Sequence, residues 1–341
     1  MPTDPQLTRL VHSVLMPGFT GVSPPGWLSR AIEDGLGAVV YFAHNLTEDP
    51  AVLSERLHEL RPDLLLASDE EGGTVTRLHA RNGSPYPGHA TLGAADTTTR
   101  TRDVAAAMGR DLRRAGIDIA LAPVVDVNVD PDNPVIGVRS FGTDADRVAR
   151  HGTAFIRGLR AAGVAATAKH FPGHGDTKAD SHTSLPVIDI DVDTLREREL
   201  VPFSAAVTAG VELVMPGHLR IPALDGAPAS VSPRCYTLLR EQLGFSGVAV
   251  TDALDMRAIT HHTGARDTVA GIARGAVAAL SAGADLLCLG NPSTAGHSGE
   301  RMFRTAHDAV LDAVTSGVLP RSRLTEAAER VAALGVSRAA A

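Results

Sequence analysis

Cysteine is nearly missing from this chain of 341 residues. Cys235 and Cys288 are the only two, and Cys288 sits in the apolar run ADLLCLG, where a buried thiol is expected. A disulfide framework is therefore set aside. Long apolar stretches are scarce as well, and none reaches the roughly eighteen residues that a membrane-spanning helix needs. The first residues, MPTDPQLTRLVHSVLMPGF, lack clustered positive charge, a long apolar segment and a small-residue cleavage site, so a cytoplasmic protein is expected. No basic stripe stands out either. The 32 Lys and Arg are mixed with 39 Asp and Glu for a net charge of −7, which argues against a nucleic-acid partner. No solenoid-scale repeat appears, and no Pro/Ser-rich linker divides the chain, so one domain spanning residues 1–341 is expected.

What the chain does have is a recurring pair of patterns. Short, nearly continuous apolar runs begin at Leu10, Gly37, Leu64, Ile117, Val164, Val211, Val248 and Ala284. Runs of this kind suit strands buried on both faces of a parallel sheet. Between them lie amphipathic stretches that close on glycine, among them DVAAAMGRDLRRAG and RVARHGTAFIRGLRAAG, with TLREREL…FSAAVTAG and TVAGIARGAVAALSAG further on. Glycine after a helical pattern is a stop signal. Eight such strand–helix units predict an α/β fold of the (β/α)₈, or TIM-barrel, type. A doubly wound open sheet is the alternative, but no Gly-x-Gly-x-x-Gly follows the first strand.

In such barrels the reactive groups collect at the carboxyl ends of the strands. Here the third run ends in Asp69, Glu70 and Glu71, the fourth in Asp126 and Asn128, and the fifth in Lys169 and His170. The sixth ends in His218, and the seventh in Asp252 and Asp255. Any one of these could simply cap the next helix. So many strand ends of this kind point instead to a site.

The densest stretch is KHFPGHGDTKADSH, from Lys169 to His182. Three readings of it compete. His170, His174 and His182 with Asp176 or Asp180 could hold a metal. Asp180 and His182 could form a carboxylate–imidazole pair that handles a proton. Or His170 and His174 could be structural histidines satisfied by backbone, a reading that suits His174 best and His170 in part.

Together with VTDALDM and LLLASDEEGGTVTRL, this loop resembles glycoside hydrolase family 3, in its bacterial β-N-acetylhexosaminidase branch. NPVIGVRSFG, GLRAAGVAATAKHFPGHGDT and PASVSPRCYTLLREQLGFSGVAVTDALDM extend the similarity from about Leu10 to Leu289. The resemblance implies a (β/α)₈ barrel, with Asp252 as catalytic nucleophile, His182 as general acid/base and Asp180 as its partner. It further implies that Asp69, Arg77, Arg139, Lys169 and His170 bind the sugar, without metal or other cofactor. The implied substrate is a small carbohydrate, terminal β-linked N-acetylglucosamine on cell-wall fragments. Two positions depart from many relatives: Ala253 replaces a second aspartate, and Val138 precedes Arg139 where an aspartate is common.

A retaining glycosidase needs a nucleophile on one face of the sugar and a proton donor on the other. An imidazole titrates near neutrality, so His182 can donate where a carboxyl is usual, with Asp180 holding and stabilising the ring. Lysines and arginines around the pocket would favour an ionised Asp252. β-Glucosidase members draw a carboxylate from a second domain, whereas this sequence stops soon after the eighth unit, so the loop is expected to supply the donor. Aromatic residues make up 4% with Trp27 the single tryptophan, which favours an exo-acting pocket over a platform for long polymers. A neutral histidine would not repel phosphate, so a phosphorylase is the alternative in the same pocket. A metal-dependent hydrolase built on the histidine cluster, and a sugar-binding barrel without catalysis, are the alternatives from other classes.

Overall fold

The computed structural model describes residues 4–47, 49–178 and 185–339. Eight short strands fall inside the eight apolar runs: β1 Leu15–Met16, β2 Ala38–Tyr41, β3 Leu65–Ser68, β4 Ile119–Ala120, β5 Ala165–Phe171, β6 Leu213–Pro216, β7 Val248–Ala249 and β8 Leu287–Cys288. Every pairing is parallel, and β2 to β7 form one curled sheet in sequence order. β1 pairs with β8. That pair meets the larger sheet through a Val250–Leu286 bridge on one side and a Val40 N–H to Pro17 carbonyl bond of 3.1 Å on the other. The architecture is a curled parallel sheet compatible with a TIM-like α/β fold.

The period-two alternation of a strand sorts its side chains between two apolar layers. Met16, Ala38, Val40, Leu65, Ala67, Ile119, Leu213, Met215, Val248, Leu286 and Cys288 pack together inside the curl. Their strand neighbours Leu15, Val39, Leu66, Ala120, Val214, Ala249 and Leu287 face outward into the helices. Helix Thr98–Arg114 packs against helix Ala145–Ala161, and each ends at a glycine with positive φ, Gly116 at 72° and Gly163 at 76°. That left-handed geometry explains the glycine that closes both sequence patterns.

The last helix, Arg321–Ala339, lies at the amino ends of the strands. Val331 joins the inner cluster there, with Leu334 packed against it. Asp285, fully buried just before β8, accepts from Arg323 at 2.7 Å and Arg330 at 3.0 Å, and also pairs with Arg240. One end of the curl is therefore closed by apolar packing and a shared carboxylate. The other end is left for chemistry. Following the inward alternation one residue past β3, along β5 and three residues past β7 leads to Asp69, Lys169 and Asp252.

Candidate active site

A cavity of about 690 Å³ opens at the carboxyl ends of the strands. Its lining includes Asp69, Arg77, Arg139, Lys169, His170 and Asp252, six of the eight residues singled out from the sequence. The other two, Asp180 and His182, lie outside the described residues. The floor comes from inward strand positions such as Val40, Leu121, Met215 and Cys288. Phe42 is the one phenyl ring among the described lining residues, while Trp27 packs on Phe303 elsewhere.

Lys169 organises one wall. It is 2% exposed, and its ammonium reaches Asp69 Oδ1 at 2.9 Å and Glu71 Oε1 at 2.7 Å. Arg139 grips Glu71 in a fork, Nε to Oε2 at 2.9 Å and Nη2 to Oε1 at 2.8 Å, and also bonds the Val135 carbonyl at 3.1 Å. Arg77 Nη2 stands 3.4 Å from Asp69 Oδ2. Burial works against the Lys169 ammonium, yet the Asp69 and Glu71 carboxylates outweigh it and lift its pKa above the ordinary lysine value. Burial likewise works against the two carboxyls. Lys169 and Arg77 nevertheless hold Asp69 below its usual value, while Arg139 and Lys169 hold Glu71 well below. All are charged at neutral pH. The unusual residue before Arg139, Val138, is 63% exposed and leaves this grip to Glu71.

The second wall is built on Asp126, which has no exposed surface. Its Oδ1 accepts the backbone N–H of His170 at 3.0 Å and of His174 at 2.8 Å, and its Oδ2 meets His170 Nδ1 at 2.8 Å. Burial would raise this carboxyl, but the charge and hydrogen bonds of His170 bring it below its ordinary value. An ionised Asp126 accepts the His170 Nδ1–H, so Nε2 is the atom that can face a ligand.

The expectation that His174 is a histidine satisfied by backbone does not hold. Neither ring nitrogen has a hydrogen-bond partner among the described residues, and the ring lines the cavity. Backbone N–H groups instead meet the Oε2 of Glu70, from Arg77 and Leu78, and the Oδ1 of Asn128, from Gly137.

Asp252 sits on a fixed turn. Its Oδ1 accepts the Ala253 N–H at 2.8 Å, and its own N–H meets the Pro216 carbonyl at 3.3 Å. Buried His218 braces the turn, Nε2 donating to the Ala253 carbonyl at 2.9 Å while Nδ1 accepts the Ser230 hydroxyl at 2.7 Å. Ala253 thus serves through its backbone, where no side-chain carboxylate is needed.

The loop after β5 is also tied down from outside the cavity. Arg198 bonds both Asp176 Oδ2, at 2.5 Å, and Glu199 Oε1, at 2.7 Å. Gly173 presses on Glu199 so closely that a Cβ there would lie 2.3 Å from Oε2. Within the described part of the histidine cluster, Asp176 is paired to Arg198 and His170 to Asp126, while the His174 ring makes no such bond. Among the described residues no group of three or more His, Cys, Asp or Glu side chains is arranged to hold a metal ion.

The sequence pointed to strand ends but passed over Glu71 as a site residue. Its parity offered the signal, because Glu71 continues the inward alternation of Ala67 and Asp69. Asp126 was visible as a strand-end acid, though its hold on His170 was not.

Residues 31–334 match the glycosyl hydrolase family 3 N-terminal domain. The chain belongs to glycosyl hydrolase family 3. Among family relatives, it is 38% identical over 284 residues to Beta-hexosaminidase LpqI of Mycobacterium tuberculosis, covering 80% of this chain and 68% of that protein. It is 37% identical to Beta-hexosaminidase A of Pseudoalteromonas piscicida over 252 residues, which are 66% of this chain and 42% of that protein. A solved family 3 β-N-acetylglucosaminidase from Paenibacillus superposes with a TM-score of 0.89 at 41% identity, covering 98% of this chain and 62% of that one. This family 3 chain thus spans less than two thirds of the length of some of the relatives it matches.

Proposed function

We propose that this chain is an exo-acting, retaining β-N-acetylglucosaminidase that removes terminal β-linked N-acetylglucosamine from cell-wall fragments. The eight strands act as one (β/α)₈ barrel domain, a reading supported by an inner apolar cluster to which strands on every side contribute. The observation that carries the functional reading is a shared register. The inward row that builds the core continues into Asp69, Lys169 and Asp252, so a carboxylate faces the cavity across from a charged, hydrogen-bonding wall.

In this reading Lys169, Asp69, Arg77, Arg139 and the His170 Nε2 grip the hydroxyls of one terminal sugar. Charge-assisted hydrogen bonds suit that task, and the pre-paired network needs little reordering to receive them. The Asp252 carboxylate attacks the anomeric carbon as the glycosidic C–O bond breaks. His182, oriented by Asp180, gives its proton to the departing oxygen. A glycosyl–aspartate ester is left. The now neutral His182 takes a proton from water, whose oxygen attacks the same carbon and frees Asp252 with net retention. The names of the relatives favour water over phosphate as acceptor.

Release of p-nitrophenol from the β-N-acetylglucosaminide and the β-glucoside, each with and without phosphate, tests this. Strong preference for the acetamido sugar, indifferent to phosphate, is the expected result. Acceleration by phosphate with sugar-1-phosphate as product would replace hydrolysis by phosphorolysis. No turnover of either substrate would remove the proposal.

A further inference from the structure

His174 is a polar side chain of the cavity to which the reaction above gives no task. It is 1% exposed, and among the described residues neither ring nitrogen has a hydrogen-bond partner. Buried polar atoms are nearly always hydrogen-bonded, and leaving one unmet is costly. The backbone beneath the ring is fixed. Its N–H donates to Asp126, and its carbonyl accepts from Asn133 Nδ2 at 2.9 Å. The next residue, Gly175, lies so close to the Val127 carbonyl oxygen that a Cβ would sit 1.9 Å from it. The backbone that carries the ring is therefore held in place, and both nitrogens are without a partner among the described residues. That is the state of a group waiting for a ligand.

Its electrical character narrows the ligand. Burial and the neighbouring His170, with ring centroids 5.8 Å apart, bring its pKa down to about 4, so it is neutral near pH 7. A neutral imidazole carries one N–H donor and one acceptor nitrogen. Such a ring suits an uncharged polar group rather than a carboxylate or phosphate. Its position narrows the choice again. His174 stands with Asp126 and His170, apart from the paired cluster of Lys169, Asp69, Glu71 and Arg139. It also feels the charge of Asp252. A nucleophile addresses the anomeric carbon, and the polar substituent next to that carbon is the one at C2.

We propose that His174 is a substrate-binding residue that hydrogen-bonds the 2-acetamido group of the sugar held against Asp252, and so helps select acetamido sugars over plain hexoses. The amide can answer either nitrogen, its carbonyl accepting from N–H or its N–H donating to the bare nitrogen. This inference rests on the N-acetylglucosaminidase reading above.

The test compares wild type, His174→Ala, His174→Phe and His174→Asn on the p-nitrophenyl β-N-acetylglucosaminide and β-glucoside. Inhibition by free N-acetylglucosamine and by glucose is measured alongside. His174→Ala should lower kcat/KM on the acetamido sugar about tenfold or more, and change the glucoside by less than about threefold. His174→Phe, which keeps a buried ring without its nitrogens, should behave like His174→Ala and serves if the latter fails to fold. His174→Asn retains a donor and an acceptor and should recover part of the loss. Inhibition by N-acetylglucosamine should weaken while that by glucose holds. Equal losses on both sugars, or no loss on either, would overturn the assignment. If wild type turns over no acetamido sugar, the reading beneath it fails instead.

Discussion

Glu71 offers the most demanding test of the charged wall. It is 1% exposed and receives the Arg139 fork at 2.9 and 2.8 Å and the Lys169 ammonium at 2.7 Å. Glu71→Gln keeps the shape but removes the charge, leaving Arg139 without its carboxylate. Breaking one side of a buried ion pair costs about 3–5 kcal/mol. Unfolding entropy near 2.1 cal/mol/K per residue gives roughly 0.7 kcal/mol/K for 341 residues, so Tm should fall by about 4–7 °C. Calorimetry at pH 7 reads this directly. The pH dependence has a definite sign. Burial would raise this carboxyl, but Arg139 and Lys169 hold it well below its ordinary value of 4.5, so its stabilisation is complete above 4.5. It fades as pH falls from there toward the folded value. The Tm gap between wild type and Glu71→Gln should therefore be full at pH 7 and shrink in acid. A variant melting within about 1 °C of wild type at pH 7 would refute the reasoning.

Three other outcomes are expected. Asp252→Ala should lose turnover by a thousandfold or more, about 4 kcal/mol of transition-state stabilisation, while the fold persists by circular dichroism; substantial residual activity would move the nucleophile elsewhere. His182→Ala should lose less on a p-nitrophenyl glycoside, whose leaving group needs little protonation, than on a natural disaccharide, and equal losses would argue against it as the acid. For Glu199, burial first, with Arg198 pulling back in part, brings the pKa up to about 7 from an ordinary 4.5. A raised folded pKa means the group's support for the fold is complete below 4.5 and is lost as pH climbs to 7. Glu199→Gln does not titrate, so its Tm relative to wild type should rise between pH 5 and 8, and a flat difference would count against the assignment.

Much of this architecture was legible in the residue pattern. Each of the eight apolar runs holds a strand, because a strand packed on both faces has no polar positions to spare. The polar residues at the strand ends pointed toward the cavity, and the structure shows that Asp69, Lys169 and Asp252 continue an inward apolar row. The pairings were not legible. Glu71 reaches Arg139 across 68 residues and Asp126 reaches His170 across 44. Nothing local marks either, since only the curl of the sheet brings the partners together. His174 reads in the sequence as a structural histidine satisfied by backbone, and nothing local separates the role of its backbone from that of its ring. Its backbone is indeed an anchor, but its ring is not. The role of the final helix in closing the amino end rests on Arg323 and Arg330 meeting Asp285, a contact no periodicity reveals.

The account turns on Asp252 becoming covalently linked to the sugar. Incubation with an activated 5-fluoro N-acetylglucosaminide, which slows the second step, followed by mass spectrometry of the digested protein, tests that directly. The expected result is one added glycosyl group on the peptide containing Asp252, absent after Asp252→Ala. A label on another carboxylate, or turnover without any covalent adduct, would contradict the account.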